Sequence, residues 1–448
     1  MTKINLNVLN ALNVRPNNVV NEFIAHFNIP LYRNGYALML STGLTSALGL
    51  LYWAVAARAY QADNVGLNSM AISIMVFLSG MAQLNLQEAM IRFIPRAGTR
   101  ALRMAVSAYA TVIVLSLVIG TVFCLGISIW SPSLNFLIKS PTSILGFALT
   151  MVLWGIFVLE DSLLMGLRQA LYIPVENAIF SVLKIVTLLI IAGILPTTGI
   201  FVSWTFSVVL VIIPVNWLIF KALIPRYVKT AQNVSTSVSL REIVRYVAAN
   251  YFAAMLSSVA SAVLPILIID VSGAAANAHF YLAWIIASAL QIVSANMSTS
   301  LTVESTLAGD KQQEIQRRAL IGIARIVIPL VVILLITAPL ILRFVGQDYA
   351  ADGTVLMQLL ALAALPNIFN MVQVGTARAQ SRILKVVWVY GANAVMVVGI
   401  SLLLLRPLGI TGIGLAWLIS QTVIALVLWT MPKLTARRTL KRSQEFSR

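Results

Sequence analysis

The chain has 448 residues, of which 60% are hydrophobic and only 10% charged, with a mean hydropathy of +0.92. That much apolar surface excludes an ordinary soluble domain and implies helices packed side by side in lipid, each satisfying its own backbone polar groups. A formal net charge of +17 would point to nucleic acid in a soluble protein. Here the basic residues fall in the connections between apolar runs, where they set orientation and attract anionic headgroups, so membrane lipids are expected partners and nucleic acid is not. The single cysteine, Cys124, lies inside an apolar run, which leaves no disulfide framework and no thiolate metal site.

In chain order, residues 1–33 hold scattered polar side chains with no continuous apolar core, and read as a cytoplasmic segment with a short surface helix over 18–27 rather than a cleaved signal. Apolar runs follow at 34–57, 67–91, 102–127, 143–165, 173–194 and 199–220, and again at 243–269, 278–301, 320–344, 355–376, 384–405 and 410–431. Each approaches the roughly 20 residues that a crossing needs, so about twelve spans are predicted. The polar stretch between the two sets contains Arg226, Lys229 and Arg241. The predicted organisation is an N-terminal six-helix bundle over 34–222, a cytoplasmic linker over 223–242, a C-terminal six-helix bundle over 243–431 and a basic tail over 432–448. Lys and Arg crowd alternate connections, and the opposite side holds only Arg58, Lys139, Arg343 and Arg406. Both termini are therefore expected in the cytoplasm, with the chain in the cell (inner) membrane.

The halves resemble each other weakly. Met165-Gly166-Leu167-Arg168-Gln169-Ala170 is similar to Val374-Gly375-Thr376-Ala377-Arg378-Ala379, and Pro196 and Pro407 each open a Pro and Gly turn before the last span of their half. Two halves that both begin on the cytoplasmic side are parallel repeats, which enclose a central cavity.

Several short motifs carry a family resemblance. They are Asn34-Gly35-Tyr36 opening the first span, Ala57-Arg58-Ala59-Tyr60 leading to Val65-Gly66-Leu67, and Pro407-Leu408-Gly409-Ile410-Thr411-Gly412-Ile413-Gly414 before the last span. With the Gly166 and Gly375 motifs they make the chain resemble the polysaccharide exporters, or lipid-linked oligosaccharide flippases, of the multidrug/oligosaccharidyl-lipid/polysaccharide exporter superfamily. The resemblance implies an all-α fold of two six-helix bundles and export of a sugar carried on polyprenyl pyrophosphate, with polysaccharide assembly enzymes as further partners. It supplies no catalytic signature.

Polar residues inside spans are costly and are functional candidates by default. The second span carries Asn85, Glu88 and Arg92 on one helical face. This face reads either as a local Glu88–Arg92 ion pair or as a cavity wall, and the eighth span matches it with Asn296, Ser300 and Glu304. Asn177, Ser181, Lys184 and Thr187 form a stripe on the fifth span. Lys184 reads as a cation for the substrate's phosphate, or as a side chain that snorkels or pairs with Glu160, Asp161 or Glu176. Arg58 would help from the outer mouth. Asp270 reads as a solvated cap and His279 as structural.

No phosphate loop, His-Glu-x-x-His motif or large soluble insertion is present, so neither an enzyme nor an ATP-driven pump is expected, and no cofactor. A flippase predicts a basic cavity. The alternatives are a cation-coupled multidrug exporter of the same superfamily, which predicts an acid in the first or seventh span, and an integral-membrane glycosyltransferase or polymerase. The first span has no acid, and the seventh has only Asp270, at its edge.

Overall fold

The computed structural model describes the backbone of residues 30–445 apart from 131, 139, 231–238, 308–311 and 381, and the side chains of most residues between 43 and 430. The predicted surface helix over 18–27 and the middle of the linker lie outside the described residues. The helices are α1 (Pro30–Ala59), α2 (Ala62–Ala82), α3 (Leu86–Ala97), α4 (Ala101–Trp130), α5 (Pro141–Gly166), α6 (Tyr172–Ile191), α7 (Gly199–Leu218) and α8 (Ile224–Thr230) in the first half. The second half holds α9 (Leu240–Ser272), α10 (Ala274–Leu307), α11 (Gln312–Val345), α12 (Gln347–Ala379), α13 (Ile383–Leu408) and α14 (Thr411–Glu445). Among the described residues eleven helical stretches are long and apolar enough to cross a membrane, and α1 adds a further apolar helix over Leu44–Ala59. The chain is a multi-pass membrane protein.

Local chemistry starts several of these helices. Ser140 caps α5 by accepting the Ser143 N–H at 3.2 Å, with Pro141 at the first helical position. Ser239 caps α9 by accepting the Glu242 N–H at 3.1 Å, in a Ser-x-x-Glu pattern.

The second span departs from the expected continuous helix. Helix α2 ends at Ala82, and Leu84 and Asn85 take left-handed backbone angles, with φ of 49° and 61°, before α3 restarts at Leu86. Such angles cost about 1–2 kcal/mol per non-glycine residue, and local backbone bonds offset part of this. Leu84 N–H donates to Met81 at 3.2 Å and Leu86 N–H to Gln83 at 2.8 Å. Asn85 therefore does not share a helical face with Glu88 and Arg92.

In the first half α5 is central, packed against α2, α3, α4 and α7, while α6 joins α1 to α7. In the second half α12 holds that place against α10, α11 and α14. The halves meet where α2 packs on α9 and α10, α3 on α9, and α1 on α10 and α11.

At one end of this seam the contact is close. A Cβ on Gly66 would lie 1.7 Å from the Ala274 carbonyl oxygen, so α2 and the start of α10 approach in a way that only glycine allows. Buried Asn277 donates its amide to the Gly66 carbonyl at 2.8 Å and to Ser69 Oγ at 3.2 Å, and Asp63 accepts the Ala275 N–H at 3.0 Å. Toward the other end the links are aromatic and ionic: Phe93 meets Tyr246 edge-on at 5.7 Å, and Arg96 pairs with Glu242 at 3.5 Å across two exposed side chains.

Candidate functional site

The break in the second span opens a cavity of about 150 Å³ between the halves. Its polar lining comes from Ser73, Asn85 and Gln87 on one side and Tyr251, Ser258 and Ser261 of α9 on the other. The Tyr251 hydroxyl donates to the Met81 carbonyl at 3.1 Å, an oxygen in the last turn before the break. Asn85 is only 6% exposed, and its side-chain nitrogen has no acceptor. A buried donor left unpaired is destabilising by about 1–3 kcal/mol, and this nitrogen is closed off from the open space of the cavity.

Lys184 lies elsewhere, inside the first half and only 5% exposed. Its ammonium sits over Trp204 at 4.6 Å, Phe180 at 5.0 Å and Tyr52 at 5.1 Å, three ring faces from three helices that attract a cation. The Tyr52 hydroxyl is held by the Ile200 carbonyl at 2.9 Å and by Ser203 at 3.0 Å, and Thr187 bonds Ser207 at 3.0 Å. Tyr52 also touches Trp53, whose ring meets Tyr281 of the second half at 4.6 Å. One aromatic layer therefore separates the ammonium from the seam.

The possible pairing of Lys184 with Glu160, Asp161 or Glu176 is not what the structure shows. Lys184 forms no ion pair among the described residues, and Glu176 lies eight residues earlier on α6, about 12 Å along the axis. The three acids instead form a separate buried group. Asn216 donates to Glu160 at 2.6 Å and Asn177 to Asp161 at 3.3 Å, while both Glu176 oxygens lack a donor. Among the described residues no three His, Cys, Asp or Glu side chains are arranged to hold a metal ion.

The other predicted residues are dispersed. Ser181 is buried on α6 with Lys184. Glu88 and Arg92 are exposed and form no ion pair, and the Arg92 guanidinium instead lies over Tyr246 at 4.6 Å. Arg58 donates to the Phe344 carbonyl and stacks on the Phe344 ring at 4.6 Å, a link between α1 and α11 away from the cavity. The side chains of Asn296, Ser300 and Glu304 on α10 lie outside those described. His279 pairs with Asp352 at 2.9 Å and packs on Tyr349. Sequence reasoning missed the aromatic box, because Tyr52, Phe180 and Trp204 converge only in three dimensions. The break had a trace in the polar run Gln83-Leu84-Asn85-Leu86-Gln87.

Solved structures place this architecture. The chain superposes on an inward-facing multidrug resistance MATE family transporter of the MOP superfamily with a TM-score of 0.70, covering 90% of this chain and 99% of that one at 17% identity. The fold is that of the MATE transporters. Against an outward-facing structure of the same kind the TM-score is 0.57, with 91% of this chain and 96% of that one covered at 17% identity. A MOP superfamily transporter from Pyrococcus furiosus, described as having a binding pocket of reversed polarity, gives 0.59 at 16% identity over 91% of this chain and 96% of that one. No known protein-family profile matches the sequence, and no curated protein does.

Proposed function

We propose that this chain is a transporter that carries a lipid-linked oligosaccharide across the cytoplasmic membrane by alternating access. The observation that carries the reading is Lys184, a buried cation held by neutral rings and, among the described residues, free of any acidic partner that would cancel its attraction for phosphate. An ammonium attracts phosphate as a point charge without the rigid bidentate geometry of arginine, which favours release. Parting the halves at the Trp53–Tyr281 contact would leave Tyr52 and Trp53 as the layer between Lys184 and the opened seam. The better superposition on an inward-facing structure supports the present state as one of two.

In cells, Lys184→Ala is expected to abolish surface glycan at normal protein level, Lys184→Arg to retain part of the activity, and Lys184→Glu to be worst. Normal glycan in the Lys184→Glu strain would remove Lys184 from the site. A second reading, cation-coupled multidrug export, is favoured by the buried acids Glu160, Asp161 and Glu176 and their unpaired oxygens. It predicts that Glu176→Gln abolishes drug efflux while Lys184→Ala spares it.

A further inference from the structure

His279 borders neither the polar cavity nor the aromatic box around Lys184. It sits on the second turn of α10, near the Gly66 end of the seam, the end that the distribution of basic residues predicts to face outward. The two nitrogens of its buried ring have different surroundings. Nδ1 meets Asp352 Oδ2 at 2.9 Å, and Asp352, 61% exposed, connects the pair to solvent. Nε2 is buried and has no hydrogen-bond partner among the described residues. The ring packs edge-on against Tyr349 at 4.6 Å, and the Tyr349 hydroxyl is likewise buried and unpartnered.

This ring joins two parts of the second half that both grip the first half. On one side, the first turn of α10 makes the close contacts of the seam through Ala274, Ala275 and Asn277. On the other, the corner between α11 and α12 receives Arg58 of the first half at Phe344, and Tyr349 and Asp352 open α12 just beyond it. Both sets of contacts depend on how α10 sits against α12, and the Gly66–Ala274 approach leaves no slack to absorb a shift.

Histidine is the side-chain type that changes charge across neutral pH. In the neutral ring, an N–H at Nδ1 donates to Asp352 and Nε2 carries only a lone pair. A second proton places an N–H on Nε2, a buried atom without an acceptor, and the ring must turn to find one. The other charged groups at this end of the helices packed on α10 are otherwise engaged or exposed. Arg58 is held at Phe344, Asp63 by the Ala275 N–H and Asp270 by Ser133, while Arg343 and Asp348 are exposed and form no ion pair among the described residues.

We infer that His279 and Asp352 form a proton-sensitive joint in the outer clamp, which holds the halves together when the ring is neutral and releases them when it takes up a proton. A proton that binds the open arrangement better shifts the population toward it, so acid outside favours outward opening. The inference rests on the alternating access of the proposed function and not on its substrate.

The test uses the full chain in lipid nanodiscs without substrate. Spin labels at Gln61 and Ser272, in a Cys124→Ser background, report the outer separation by double electron–electron resonance. Between about pH 8 and about pH 5, where histidines titrate, the population at long distance should rise at least about fivefold, as for an ordinary coupling between two sites. His279→Gln keeps an amide donor for Asp352 but cannot titrate, and should abolish the rise. His279→Asn serves the same purpose if His279→Gln melts early. The chain has two histidines, so 13C-histidine in a His26→Gln variant reports the His279 ring alone, and its titration should coincide with the change in distance.

A wild-type distribution that ignores pH, or a rise that survives in the folded histidine variants, would overturn the inference. Asn277→Ala loosens the same clamp without touching the histidine and should lengthen the distance at every pH. If it does so while the wild type ignores pH, the joint fails alone. If neither responds, the alternating access of the proposed function fails with it.

Discussion

Removing the Asn277 side chain should loosen the seam at the Gly66 end. Asn277→Ala deletes two hydrogen bonds between the halves, to the Gly66 carbonyl and to Ser69. Inside membranes such bonds average about 0.6 kcal/mol each, so the pair contributes about 1.2 kcal/mol, close to an eightfold shift in a two-state equilibrium. Gly66→Ala is more severe. Its Cβ would start 1.7 Å from the Ala274 oxygen against an ordinary contact of at least 3.4 Å, so the helices must part by well over an ångström. Spin labels at Gln61 and Ser272, both exposed at that end, in a Cys124→Ser background, report the separation by double electron–electron resonance. The population at long distance should rise about eightfold in Asn277→Ala and dominate in Gly66→Ala. Folded variants with an unchanged distance distribution would refute the view that this contact holds the halves in one of two states.

Two further outcomes follow from buried and exposed polar pairs. Asn216→Leu strips Glu160 of its described side-chain donor and should lower stability by about 1–3 kcal/mol, read as a lower melting temperature in detergent, with Glu160→Gln restoring part of it. Asp352→Ala removes the partner of His279, but Asp352 is 61% exposed, so the melting temperature should move by the equivalent of less than about 1 kcal/mol.

Much of the fold was legible because lipid leaves few options. Apolar runs such as 355–376 and 384–405 had to be helices, and the structure places α12 and α13 over them with extra turns at the ends. Those extra turns escaped notice because Gln347, Asp348 and Arg378 are polar yet continue the helix. The second span misled for the opposite reason: the polar residues Gln83, Asn85 and Gln87 read as one face of a continuing helix, while the backbone turns left-handed at Leu84 and Asn85, and neither residue type demands this. At the site, Lys184 stood out as a basic residue deep in an apolar run. Its surroundings did not, since Tyr52, Phe180 and Trp204 come from α1, α6 and α7 and meet only through packing. The sequence offered Glu176 as a partner alongside Glu160 and Asp161, but the two share α6 eight residues apart and the rise of that helix keeps them from meeting.

Translocation in vesicles tests the central claim most directly. The purified chain is reconstituted with a fluorescent polyprenyl-pyrophosphate oligosaccharide, and its appearance on the opposite leaflet is read by quenching from outside. Wild type should move the lipid well above empty vesicles, Lys184→Arg should retain part of the rate, and Lys184→Ala and Lys184→Glu should fall to the rate of vesicles without protein. Translocation by Lys184→Glu at the wild-type rate would contradict the account.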